Sequence, residues 1–162
     1  MRPVRRANPG VGMEKILTAA EERKLLRALH PTDRELLRFL LATGARISEA
    51  LGVKESDITP LAGHYAIRLL GKGNKVRTVY YDRVVAFHGR REAITNRIRR
   101  ASRRVLGRSL SAHCMRHTFA TRMIAAGKSL TAVSRYLGHS SVAITGDLYV
   151  HDDLSWADLH GK

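Results

Sequence analysis

The apolar period of this chain changes twice, and no other feature restricts its fold as much. From Thr18 to Leu51 hydrophobic residues recur at helical spacing. Tyr65 to Leu70 and Val76 to Tyr81 are instead rich in β-formers and flank the turn-prone insert G-K-G-N-K. From Arg90 onward the helical period returns. The pattern predicts a mainly α domain with a small antiparallel β-sheet, an α+β fold.

The local signals place the elements. Thr18 with Glu21 makes a capping box ahead of Leu25, Leu26 and Leu29. Pro31 breaks that helix. Thr32 with Glu35 predicts a second box, followed by Leu36, Leu37, Leu40 and Leu41, with Gly44 as the C-terminal cap. A further helix starts near Ile47. The β runs form a hairpin with Lys72 at its tip, and a short strand near Asp57-Ile58 completes a three-stranded sheet. Arg90 to Gly107 is helical, with Ile94, Ile98, Ala101 and Val105 on one side and five arginines over much of the rest. Ser111 caps a helix that runs to Ala126. Another carries Leu130, Val133, Tyr136 and Leu137 and closes at Gly138. A last segment, Val142 to Val150, bears Tyr149, and the tail beyond it holds Leu154, Trp156 and Leu159.

A chain of 162 residues is one ordinary domain with room for a core. Residues 1–13 read as a basic flexible arm or linker remnant, 14–150 as the folded domain and 151–162 as a tail. Lys plus Arg is 29 and Asp plus Glu is 14, so the formal charge is +15 and the expected partner is a polyanion, nucleic acid first. No apolar run is long enough to span a membrane, and the basic N-terminus lacks the apolar stretch of a signal peptide. The single Cys114 excludes an internal disulfide and fits a reducing cytoplasm.

Six residues carry the chemistry that the sequence suggests: Arg46, Lys72, His113, Arg116, His139 and Tyr149. Breaking a phosphodiester without a metal needs a nucleophile, charge stabilisation and a proton for the leaving alkoxide. Tyr149 can attack once nearby cations and a base draw off its phenolic proton. Arg46 and Arg116 offer planar forks that match two phosphate oxygens. Arg46 also has Glu49 three residues on, the spacing of a surface ion pair. Lys72, at a hairpin tip, can protonate an emerging alkoxide, with Lys75 as its rival in the same turn. His113 and Arg116 share one helix face, and His139 follows Leu137-Gly138 at the mouth of a turn. For the arginine-rich helix two readings stand: a solvated basic face, or phosphate contact. Arg97, Arg100 and Arg104, with Lys75 and Arg77 of the hairpin, are the candidates for contact with DNA.

The blocks L-L-A-T-G-A-R-I-S-E-A-L, G-K-G-N-K-V-R, H-C-M-R-H-T-F-A-T and Y-L-G-H-S-S, in that order, resemble the catalytic domain of the tyrosine recombinase (phage integrase) family from about Leu17 to His151. The resemblance implies that family's fold. It also implies cleavage and rejoining of DNA strands through a 3′-phosphotyrosine intermediate, without metal, ATP or another cofactor. Tyr149 would be the nucleophile and Lys72 the general acid. Arg46, Arg116 and His139 would hold the scissile phosphate, and His113 would assist as acid or base. The implied partner is double-stranded DNA, bound as a homo-oligomer (a tetramer), with accessory DNA-bending proteins a further expectation. The implied place is the cytoplasm of a bacterial host, in phage or mobile-element recombination and integration. Family members often carry an N-terminal core-binding domain that clamps DNA, and often pass a C-terminal segment to a neighbouring subunit. Leu154, Trp156 and Leu159 would serve that exchange here. The stretch from Lys72 to His113 is shorter than in most members, and His139 to Tyr149 spans one residue more than in many.

Three other readings compete. A non-catalytic helix-turn-helix module suits Leu130 to Tyr149 and the charge, but gives Arg46, Lys72 and the His113–Arg116 pair no role. A type IB topoisomerase shares the chemistry, yet the blocks look more like recombinases. A metal hydrolase is suggested by His113 and His117 at i, i+4, but Cys114 stands where H-E-x-x-H needs its Glu.

Overall fold

The computed structural model describes residues 15–139 and Leu159. Among them are six helices and a three-stranded antiparallel sheet: α1 (Ala19–Ala28), α2 (Pro31–Thr43), α3 (Ile47–Leu51), β1 (Ile58–Leu61), β2 (His64–Leu70), β3 (Val76–Tyr81), α4 (Arg91–Leu106), α5 (Ala112–Ala125) and α6 (Leu130–Tyr136). The sheet order is β1-β2-β3. Its register pairs Ile58 with Ile67 and Leu70 with Val76, so the hairpin turn lies where the sequence placed it.

The predicted capping box of α1 is present, with Thr18 and Glu21 each accepting from the other's backbone N–H. That of α2 is not. Pro31 stands at the first helical position, so His30 becomes the N-cap and Thr32 lies inside the helix. Proline has no N–H to leave unsatisfied there and its φ is already helical, which outweighs the weaker Thr32–Glu35 signal. Leu130 also departs from its expected place. It is the first residue of α6, but it is 71% exposed while Val133, Tyr136 and Leu137 are buried.

The core is built around α2. Leu36, Leu37, Phe39, Leu40 and Leu41 are all buried, and α2 packs against α5, β3, α1 and α3. Burying side chains of this size stabilises the fold by about 1.5–3 kcal/mol each. Phe39 meets Tyr81 edge-on at 5.2 Å and Phe87 at 5.3 Å, which fixes the end of β3 to the helix. On the other flank Phe119 of α5 stacks on Tyr136 of α6 at 5.6 Å. Helix α4 lies on α1 and buries Ile94, Ile98 and Ala101, as its apolar period predicted. Buried Asp33 ties the start of α2 to α4 by accepting two bonds from Arg97, at 2.6 and 2.8 Å. Leu159 of the tail is half-buried against this core. Leu154 and Trp156 lie outside the described residues, as do all of 1–14 and the rest of 140–162. No described helix is long and apolar enough to cross a membrane.

Gly44 ends α2 in the left-handed conformation, φ 65°, and donates to the Leu40 carbonyl. A Cβ there would come within 2.5 Å of Leu137 and 2.6 Å of Phe119. We therefore expect Gly44→Ala to lose about 3 kcal/mol in urea denaturation, from strain in φ and overpacking together. A loss below about 1 kcal/mol would show that α5 and α6 yield easily around this turn.

Candidate active site

The backbone turn that Gly44 makes carries Arg46 to the N-terminus of α3. Glu49 reaches back over the first turn of α3 and accepts from the Arg46 backbone N–H at 2.8 Å and from its guanidinium at 3.1 Å. The same carboxylate accepts from Arg77 Nη2 of β3 at 2.7 Å. Glu49 is only 3% exposed, Arg77 12% and Arg46 39%. The carboxylate is thus the buried centre of the group, and Arg46 is the member that still reaches solvent. Burial works to raise the Glu49 pKa, but the Arg77 charge and the Arg46 bonds outweigh it and hold the carboxyl below its usual range.

Two arginines hold the end of α6. Arg77 Nη1 donates to the Tyr136 carbonyl at 3.0 Å, and Arg116 Nη2 donates to the Leu137 carbonyl. The next residue, Gly138, has φ 72°, and its Cα lies against the Arg77 side chain closely enough that a Cβ would sit 3.0 Å from Cδ. His139 follows at once. Its backbone N–H donates to the Ser134 carbonyl at 3.1 Å, and its ring Nδ1 lies 3.5 Å from Ser134 Oγ. The position of His139 is therefore set by side chains from β3 and α5, not by its own helix alone.

Arg116 is 3% exposed, and its Nη1 donates to the Gly44 carbonyl at 2.8 Å, two residues before Arg46. Burial, and then the Arg46 and Arg77 charges, pull its pKa down to about 10, so it stays charged at neutral pH. These anchors bring the two arginines of the sequence reading to one turn of backbone. Lys72 and Lys75 stand exposed at the hairpin tip. With Arg46, Glu49, Arg77 and His139 they line a cleft of about 490 Å³. His113 packs edge-on against His117 with ring centres 4.7 Å apart, and it feels Arg116, Arg46 and His139. Both His113 and His139 are exposed. Partial burial first, then the neighbouring cations, depress both pKa values. Among the described residues no three metal-ligating side chains cluster.

The structure thus gathers Arg46, Lys72, His113, Arg116 and His139, while Tyr149 lies outside the described residues. The candidates for DNA contact divide. Lys75 and Arg77 belong to the cleft, and Arg77 serves there as a strut with its fork engaged. Arg97, Arg100 and Arg104 sit instead beside the start of α2, where Arg97 is engaged by Asp33 and Arg104 donates to the Ala28 carbonyl. Sequence reasoning saw Glu49 only as a pairing partner for Arg46. Its second bond, to Arg77, joins residues 28 apart and has no local signal.

A model described as the phage integrase family matches residues 13–87 and 88–155. The chain belongs to that family. Tyrosine recombinase XerD of Staphylococcus saprophyticus is 30% identical over 169 residues, an alignment covering 86% of this chain and 56% of the relative. Tyrosine recombinase XerC of Mycobacterium bovis is 34% identical over 149 residues, covering 74% and 49%. The chain thus spans about half the length of these curated relatives. Among solved structures, XerA recombinase matches with a TM-score of 0.64 at 26% identity, covering 98% of this chain and 64% of its own. XerH site-specific recombinase bound to difH substrate, a pre-cleavage complex, matches with a TM-score of 0.66 at 24% identity, covering 78% and 47%, and this likeness bears on the fold. The mainly helical architecture with its small antiparallel sheet is therefore that of phage-integrase catalytic domains, as the blocks implied.

Two predictions follow from the cleft's charges. A histidine whose pKa is depressed by folding binds its proton more readily when unfolded, so stability falls as pH drops through about 6.5. Urea midpoints should fall between pH 7.5 and 5.5, and the double variant His113→Gln, His139→Gln should flatten that slope. An unchanged slope would assign the acid sensitivity to other groups. Glu49→Gln leaves Arg46 and Arg77 without their counter-charge and should lose about 3 kcal/mol, the cost of breaking a buried pair. A neutral effect in the same denaturation assay would show that solvent screens the network.

Proposed function

We propose that this domain cleaves and rejoins duplex DNA through a covalent phosphotyrosine. The observation that carries the reading is the anchoring of Arg116 to the Gly44 carbonyl, which sets its guanidinium at the turn leading to Arg46, beside a cleft lined by Arg46, Lys72 of the hairpin tip and His139. A phosphodiester brought there meets charge from two directions. Arg116 has spent N–H groups on the Gly44 and Leu137 carbonyls, and its remaining donors are held in a fixed plane. Fixed donors need little reorganisation as charge builds on the non-bridging oxygens, and each such contact contributes about 3 kcal/mol to the transition state.

In the proposed reaction the Tyr149 oxygen passes its proton to the His113 ring and attacks phosphorus. The bond from phosphorus to the 5′-oxygen breaks, and that oxygen leaves with a proton from Lys72. DNA is left joined to the tyrosine through its 3′-phosphate, with a free 5′-hydroxyl. Attack by a 5′-hydroxyl on the same phosphorus reverses each step, so the bond energy is kept and no nucleotide is consumed. His113 and His139, neutral in the free protein, can accept a proton or donate a ring N–H as phosphate binds. Recognition of a particular site, assembly as a homo-oligomer on DNA and exchange of the C-terminal tail belong to the same proposal. The relatives' names, tyrosine recombinases XerC and XerD, support it.

A nicked suicide duplex tests the reading. We expect a protein–DNA adduct that survives denaturant and forms in EDTA, and none with Tyr149→Phe. An adduct that persists in Tyr149→Phe would move the nucleophile elsewhere. Lys72→Ala should slow cleavage about 10²–10⁴-fold, the range for a lost general acid. Replacing the bridging 5′-oxygen by sulfur, a leaving group that needs no proton, should restore most of that rate. Equal slowing on both substrates would make Lys72 a binding residue. Wild-type affinity for DNA should fall about a thousandfold between 50 and 200 mM salt if six phosphates are contacted.

A further inference from the structure

A second concentration of positive charge lies away from the cleft. Helix α1 exposes Arg23, Lys24 and Arg27, and α4, which packs beside it, exposes Arg99, Arg100 and Arg103. One notch joins α1 to α4, and a second extends the charge from α1 to α2. In the first, Arg100 and Arg104 of α4 stand with His30 around the Ala28-Leu29 backbone at the end of α1. In the second, Arg23 and Arg27 of α1 face Arg34 and Arg38 of α2 across Leu26. Neither notch shares a lining residue with the cleft.

The carboxylates leave most of this strip without a counter-charge; the exception is Glu35, which pairs with Arg38 of the second notch. Asp33 is buried under Arg97, Glu49 lies inside the cleft, and Glu21 and Glu22 pair with Arg108 and Arg122. Among the described residues no carboxylate forms a salt bridge with Arg23, Lys24, Arg27, Arg99, Arg100 or Arg103. Six exposed cations on two adjoining helices, none salt-bridged among the described residues, repel one another, and a row of phosphates relieves that repulsion. Position separates the strip from the chemistry. Arg97, beside the first notch, is tied to Asp33 near the start of α2, and Arg116 is tied to Gly44 at its end. The eleven residue steps from Asp33 to Gly44 span roughly 17 Å of helix at about 1.5 Å each.

We propose that the α1–α4 strip is a second phosphate-backbone surface, which holds a segment of duplex DNA outside the catalytic cleft. This rests on the reading of the domain as a DNA-cleaving enzyme, and it assigns to DNA a surface that the cleavage chemistry does not use. The strip would add affinity without adding to the rate on DNA already seated in the cleft.

The test is a quadruple variant of the full chain, Arg23→Ser, Arg27→Ser, Arg100→Ser and Arg103→Ser. All four side chains are exposed, and Arg97 and Arg104, which hold α4 to α1 and α2, are kept. Affinity for a long duplex is measured from 50 to 200 mM salt, beside adduct formation on a short nicked duplex present at saturation. We expect the slope of log K against log salt to become shallower by about 3–4, roughly 0.9 for each phosphate contact removed. Adduct formation on the short duplex should match wild type. An unchanged slope would overturn the proposal. So would a parallel loss of adduct in a variant with wild-type melting, because the strip would then belong to the cleft. Lost binding to anionic vesicles with DNA binding intact would also overturn it, and would make the strip a lipid surface. A wild-type protein that binds DNA but forms no adduct would instead defeat the cleavage reading and leave the salt comparison standing.

Discussion

A buried glutamate that two arginines share is the constraint on which this site depends. Arg46, Arg77 and Arg116 crowd one small volume, and each depresses the others' comfort there. Arg116 shows the effect directly, with its pKa drawn down by burial and then by its two cationic neighbours. Among the described residues Glu49 supplies the negative charge inside the group, and backbone carbonyls at Gly44, Tyr136 and Leu137 add to the compensation. The result is a compensated cluster of positive charge, with only Arg46 of the three reaching solvent to a substantial degree.

The same bonds give the site its geometry. Carbonyls 136 and 137 close α6, and each is gripped by an arginine from another element. His139 therefore moves with β3 and α5. Helix α2 is the beam between the two charged regions. Its end anchors Arg116 through Gly44, while its start anchors α4 through Asp33. The apolar stripe of α2 thus sets the separation of the cleft from the α1–α4 strip.

Much of the fold was legible in the sequence because its signals are local. The Thr18–Glu21 box, the Gly44 cap and the hairpin around Lys72 each depend on residues a few positions apart. Where a local signal failed, another local rule prevailed, as when Pro31 displaced Thr32 from the cap of α2. The candidate site was legible in its residue types and order. Arg46, Lys72, His113, Arg116 and His139 were chosen for their chemistry; the fold lines one cleft with Arg46, Lys72 and His139, and sets Arg116 against the turn before Arg46 and His113 within the field of both arginines. The division of labour among the other arginines was not legible. Nothing near Arg77 in sequence marks it as a strut, because its partners lie 28 and 59 positions away. Arg97 looked like its neighbours on α4, and only the packing of α2 shows that its fork is engaged by Asp33.

The sequence by itself determined the element types, the family and the chemical character of the site, since periodicity, capping and side-chain chemistry are properties of short stretches. Tertiary structure alone decided which cations are free to meet a phosphate and which are engaged in holding the protein together. Arginine donors are indifferent to whether their acceptor is a carboxylate, a carbonyl or a ligand. Their role follows from which acceptor the fold brings within reach.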